Sequence, residues 1–225
     1  AISKHTKSDI LKYFDIPEEK IDVVYYGVDE IFKEELTLDT ARKITSGLDL
    51  PDNFYFYIGT LEPRKNIPYV ISNFDLFLNK FPDNHLILWG WKGDLPDEVF
   101  KLLNKVENKK NIHFRGYIDH SMLPSVMRLA RGMFFVSLYE GFGLPPVEAM
   151  SAGCPVFTSN ISSIPEVVGD GGIYVDVKDP QGLYKKLLYT HENPAEIIAV
   201  VKKGKDLAKR FTWERAAEET YRLFI

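Results

Sequence analysis

The chain has 225 residues, 45% of them hydrophobic and 27% charged, the make-up of a globular fold with a sizeable core. Its net charge of −4 gives no global electrostatic reason to bind nucleic acid or an anionic membrane, so any anion site must be local. No apolar run approaches the roughly 18 residues of a membrane-spanning helix, and the single cysteine, Cys154, lies in the apolar stretch CPVF, as a buried thiol of a reducing compartment does. The opening AISKHTKSDI has neither an initiator methionine nor a signal-like apolar segment, so the chain is expected to be a piece of a longer protein.

In chain order, residues 1–29 form a unit of their own. A short helix over 6–14 leads to a turn at Ile16-Pro17-Glu18 and a strand, IDVVYY, closed by Gly27. One helix and one strand cannot fold alone. From about Asp52 the rhythm changes. Apolar runs FYFYIG (54–59), HLILWG (85–90), NIHFRG (111–116), MFFVS (133–137), CPVFTS (154–159) and GIYVD (172–176) alternate with helical patterns. The helical patterns fall near 67–80, 96–108, 121–130 and 146–152, with a shorter one near 163–168. Helices over 183–188 and 195–210 follow the last strand, and Thr212 is expected to cap a final helix reaching Phe224. Strands that are apolar on both faces and alternate with helices predict an α/β fold with a doubly wound, Rossmann-like parallel sheet.

In such a sheet, ligands bind beyond the carboxyl ends of the strands. The loop after the first run, TLEPRKNI, sets Arg64 and Lys65 between a strand end and a helix opening near Pro68. Two cations there suit a diphosphate, and they suit a solvated loop equally well. The loop lacks G-x-G-x-x-G, which counts against a nicotinamide or flavin enzyme. Trp89, Trp91 and Gly93 follow the second run; aromatics at that point stack on a base or, more commonly, fill the core. After the third run, residues 115–118 offer backbone groups to a base edge or simply lead into a helix capped by Ser121.

The stretch LYEGFGLPPVEAM (138–150) is more specific. Gly141 and Gly143 let the main chain approach a ligand, and Pro146 suits the first position of a helix, so free N–H groups and the positive helix end converge into an anion cradle. With Pro145 at the N-cap, a capping box is excluded, and Glu148 falls in the first turn, where its macrodipole interaction is worth about 0.3–1 kcal/mol. A carboxylate beside a phosphate cradle repels the ligand unless it accepts from hydroxyls. Glu140 and Glu148 could grip two sugars on either side of one diphosphate, which describes a nucleotide sugar.

The segment SLYEGFGLPPVEAMSAGCPVFTSNISSIPEVVGDGG, with GTLEPRKNI before it and FTWERAAEETYRLF after it, closely resembles the C-terminal donor-binding domain of retaining glycosyltransferases of family 4, which have the GT-B architecture. The spacing of glutamate, seven residues and glutamate is that family's signature, and the resemblance covers nearly the whole chain. It implies that residues 1–29 are the end of an N-terminal domain plus a linker, 30–211 the donor-binding domain and 212–225 a C-terminal helix. Tyr26 departs from the family's usual Asn before Gly-Val-Asp, in the linker and away from the site. Carried over, the pattern makes Glu148 the ribose ligand and Glu140 a contact to the donor sugar. Arg64 and Lys65 hold the diphosphate with the amides of Gly141, Phe142, Gly143 and Leu144. Arg64, Lys65 and Glu140 are the expected catalytic groups, and Gly59, Gly116 and Tyr117 complete the expected donor contacts.

The resemblance further implies transfer of a hexose from a UDP- or GDP-sugar to a sugar, lipid-linked or glycan acceptor, with retention, in glycan or polysaccharide biosynthesis. It implies no metal or other cofactor, and a cytoplasmic location with at most peripheral membrane association through the preceding domain. Without that domain, the chain is expected to bind donor but transfer nothing. The rival reading is a non-catalytic nucleotide-sugar-binding module. His5, His85, His113, His120 and His191 show no ligand-like spacing, and KLLNKVENKKN (101–111) reads as the solvated face of a helix. Asn160, Ser162, Ser163 and Glu166 either line the cleft or serve turns and caps.

Overall fold

The computed structural model describes residues 1–90 and 97–225, apart from the Glu98 side chain; the expectations for Trp91 and Gly93 lie outside the described residues. Six strands form one sheet: β1 (Phe54–Ile58), β2 (His85–Trp89), β3 (Ile112–Arg115), β4 (Gly132–Phe135), β5 (Val156–Ser159) and β6 (Ile173–Val175). Their order is β3-β2-β1-β4-β5-β6 and every pairing is parallel. The expected doubly wound α/β architecture is therefore present. The order reverses between β1 and β4, which pair through Tyr55 with Gly132 and Phe56 with Met133. That reversal opens a crevice at the strands' carboxyl ends.

The strands read as continuous apolar runs because both faces are covered. Phe54 and Phe56 point to one side and join Trp89, Phe135, Val147 and Met150. Tyr55 and Tyr57 point to the other and join Ile67, Val70, Phe74 and Phe134. Tyr55 stacks on Phe134 with ring centroids 5.3 Å apart. Trp89 is 2% exposed and belongs to the core.

The helices are α1 (Lys4–Tyr13), α2 (Leu38–Ile44), α3 (Ile67–Leu78), α4 (Asp97–Leu103), α5 (Leu123–Leu129), α6 (Leu144–Ser151), α7 (Ile164–Val168), α8 (Gly182–Glu192), α9 (Pro194–Ala208) and α10 (Trp213–Arg222). Thr212 caps α10 by accepting from Arg215 N–H, as its sequence position predicts, although the helix stops short of Phe224.

Several local expectations are corrected. The segment IDVVYY is not a strand: the sheet ends at β3 and β6, and the segment finds no ladder partner. Instead Val24 N–H donates to Ala1 O and Val28 N–H to Phe211 O, tying the first residues to the end of α9. Helix α1 starts before Thr6, because the Ser3 hydroxyl caps it by accepting from Thr6 N–H. Helix α2, capped by Thr37, is an addition. Asp119, not Ser121, caps the turn before α5. Helix α4 ends at Leu103, well before residue 108.

Candidate functional site

The loop after β4 ends in a glycine turn whose carbonyls are held by the protein while its amides, from residue 141 on, are not. Ser163 Oγ–H serves Glu140 O at 2.9 Å and Phe142 O at 3.1 Å. Ser3 and Thr6 hydroxyls reach Gly141 O at 2.7 and 3.0 Å. By contrast, the amides of Gly141, Phe142, Gly143 and Leu144 donate to no protein acceptor among the described residues. A run of free N–H groups opening a helix is an anion cradle. Ser163 is fully buried, so Ser163→Ala strands two carbonyls and is expected to cost about 1–3 kcal/mol in urea denaturation.

The N-cap of α6 is Gly143, at φ +99°, not Pro145. At that φ a side chain would be strained by its own backbone, and a Cβ would lie 2.8 Å from Ile164 Cδ1, which would have to shift. Pro145 and Pro146 follow inside the first turn and contribute no N–H, which confines the cradle to residues 141–144. Glu148 consequently lies beyond the first turn, and the macrodipole explanation for it loses its basis.

Across the crevice, the loop after β1 contributes the cations. Leu138 N–H donates to Arg64 O at 2.7 Å, stitching the two loops together. Lys65 Nζ lies 2.6 Å and Arg64 Nη1 3.0 Å from the same oxygen, Glu140 Oε1. Lys65 and Glu140 side chains are each 10% exposed, whereas Arg64 is 43% exposed and also binds Glu62 through Nε. Glu140 N–H donates to Ser162 Oγ. A buried carboxylate is tolerable here because two cations face it.

A separate cavity of about 320 Å³ lies at the ends of β1–β3, lined by Gly59, Trp89, Gly116, Tyr117, His120 and others. Three expected donor contacts, Gly59, Gly116 and Tyr117, thus share one pocket, with Tyr117 85% exposed at its rim. Glu148 is 8% exposed. Burial pushes its carboxyl up to about 7, with His120 opposing and Asp29 adding to the shift. His120 is thus common to both, lining the cavity and drawing the Glu148 carboxyl down, while Glu148 itself is not among the lining residues. The structure therefore assembles the expected residues into two groups, Arg64, Lys65, Glu140 and the glycine loop at the crevice and Gly59, Gly116 and Tyr117 around the pocket, with Glu148 buried apart from the pocket lining.

Sequence reasoning missed Ser3, Thr6 and Asp29, whose places depend on segments far apart in the chain, and Glu62, which pairs with Arg64 two residues away. Ser162 and Ser163 support the glycine loop, and Glu166 accepts from the Lys4 and His5 amides and the Tyr25 hydroxyl, fastening α1 beside it. His85 Nδ1 and His113 Nε2 meet at 3.0 Å, at the opposite strand ends from the crevice. Among the described residues no group of three or more His, Cys, Asp or Glu side chains is placed to hold a metal ion. Cys154 is buried, which raises its thiol far above the usual range. No described helix is long and apolar enough to cross a membrane.

Residues 40–210 match the family described as Glycosyl transferases group 1. An O-antigen chain mannosyltransferase B from Escherichia coli is 30% identical over 97% of this chain and 58% of its own length. The C-terminal domain of a glycosyl transferase group 1 family protein from Francisella tularensis superposes with a TM-score of 0.69 at 26% identity, covering 82% of this chain and 97% of that one. Anabaena HepE, solved in complex with UDP-glucose, shares the fold with a TM-score of 0.85 at 20% identity, over 99% of this chain and 63% of that one. The chain spans between about a fifth and three-fifths of the length of the first curated relatives it matches. It belongs to the glycosyl transferases of group 1, family 4, and has the fold of the C-terminal half of their GT-B architecture.

Proposed function

We propose that this chain is the donor-binding part of a retaining hexosyltransferase that uses a nucleoside diphosphate sugar. The observation that carries the reading is the row of free amides from Gly141 to Leu144 directly after Glu140, whose carboxylate pairs with Arg64 and Lys65. The diphosphate would lie on those amides, the base in the 320 Å³ pocket, and the ribose hydroxyls on Glu148. Glu140 would meet hydroxyls of the donor sugar. Residues 1–29 would be the end of the acceptor-side domain and its linker, with 212–225 the closing helix. The mannosyltransferase relative and UDP-glucose bound to HepE support the donor class.

When the anomeric C–O bond breaks, its electron pair goes to the diphosphate oxygen and the sugar takes on oxocarbenium character. On this reading Arg64, Lys65 and the loop amides would stand where that negative charge grows, and fixed donors of this kind need no reorganisation as it does. Arg64→Ala, in the longer protein containing the acceptor side, is expected to lower kcat by about 10²–10³ while changing donor affinity less. Equal losses in kcat and affinity would make Arg64 a plain binder.

The reading is tested by calorimetry and thermal shift on this chain with UDP, GDP, ADP and dTDP sugars, since binding raises apparent stability. At least one series is expected to stabilise it. No shift with any of them would overturn the reading.

A further inference from the structure

The charged groups at the crevice mouth cancel. Arg64 and Lys65 face Glu62 and Glu140, so two cations meet two carboxylates and an arriving diphosphate finds no net positive charge. Both cations converge on one oxygen, Glu140 Oε1, the position a phosphate oxygen shared between them would take. Among the described residues, no donor reaches Oε2 of the same carboxylate. The pair is mostly shielded from water, with Lys65 and Glu140 side chains at 10% exposure, so screening does not dissolve it.

We propose that Glu140 is the donor loop's own counter-ion and thereby a specificity-determining residue. A diphosphate displaces its carboxylate from Arg64 and Lys65, and the hydroxyls of the attached sugar then receive it. The inference rests on the donor reading above and adds a consequence to it. A bare nucleoside diphosphate must expel Glu140 and offers that carboxylate nothing in return. An intact nucleotide sugar offers hydroxyl donors, which make charge-assisted bonds to it. The same residue that admits the donor therefore disfavours the product left after transfer, and promotes its release.

The test compares bare UDP and GDP with their glucose and mannose conjugates by calorimetry on this chain and on Glu140→Gln. A neutral amide no longer competes for the cations, so bare diphosphate is expected to bind about tenfold more tightly to the variant, or about 1.4 kcal/mol. The conjugates are expected to gain nothing or to weaken. Should Glu140→Gln fail to fold, Glu140→Asp carries the test: it keeps the charge but loses the 2.6 Å contact, and a smaller gain of the same sign is expected. A wild-type chain that binds bare diphosphate as tightly as either folded variant does would overturn the inference and leave the donor reading standing. A wild-type chain that binds neither ligand would overturn the donor reading itself.

Discussion

Glu148→Gln is expected to make the domain more stable above neutral pH and a poorer donor binder. The carboxyl of Glu148 stands at about 7, raised from 4.5 mainly by burial. Between those two values the folded chain keeps a proton that the unfolded chain has released. Stability therefore falls as pH rises through this window, and by pH 8 the ionised carboxylate costs the fold about 3 kcal/mol. Glutamine fills the same space and cannot ionise, so its stability should be flat across the window. Urea titrations of both proteins at pH 5 and pH 8 would measure the difference, and parallel pH profiles would refute it.

Binding runs the opposite way. A carboxylate that accepts from two ribose hydroxyls binds best when ionised, so wild-type affinity for a nucleoside diphosphate should improve about tenfold from pH 6 to pH 8. The uptake should release a proton, visible as a dependence of calorimetric heat on the buffer. Glu148→Gln should lose about 1–3 kcal/mol of affinity at pH 8, the scale of charge-assisted hydrogen bonds, together with the pH dependence. A fold that tolerates a destabilising acid in its core points to a role outside folding. If the variant gained stability and kept its affinity, that role would not be ribose binding.

Lys65→Ala carries the second large effect. Its Nζ lies 2.6 Å from Glu140 Oε1 and 5.0 Å over the Phe135 ring. Removing it leaves the buried carboxylate to Arg64, which is 43% exposed and shared with Glu62. Breaking one side of such a pair is expected to cost about 3 kcal/mol of stability. If Lys65 holds the leaving diphosphate as proposed, kcat of the longer protein should fall by about 10²–10³. The double variant Lys65→Met with Glu140→Gln separates the two effects: two neutral side chains of similar length should recover most of the stability and none of the transfer. A loss below about 1 kcal/mol in Lys65→Ala would mean that the pair is solvated and weak.

The strands were legible because each is buried on both faces, and burial of that kind leaves an unbroken apolar run. FYFYIG and HLILWG correspond to β1 and β2 almost residue for residue. IDVVYY has the same local appearance and is not a strand, since a strand is defined by a partner and none lies beside it. Helix α2 escaped notice because its seven residues bury only Ala41, too little for a periodic signal. The site was legible in its residue types and spacing: Arg64, Lys65, Glu140 and the glycine turn do converge. Its electrostatics were not, for Glu148 reads as an ordinary first-turn acid until its burial is known.

Glycine, proline and acid in the order E-G-F-G-L-P-P-V-E determined by themselves that this loop could turn tightly, open a helix and present two carboxylates. Only the folded chain decided that Gly143, in the left-handed region at φ +99°, and not Pro145 caps that helix. Only the fold paired Lys65 with Glu140, 75 residues apart, by setting β1 beside β4. Backbone preference is local and can be read along the chain; burial and ion pairing depend on which distant segments the sheet makes neighbours.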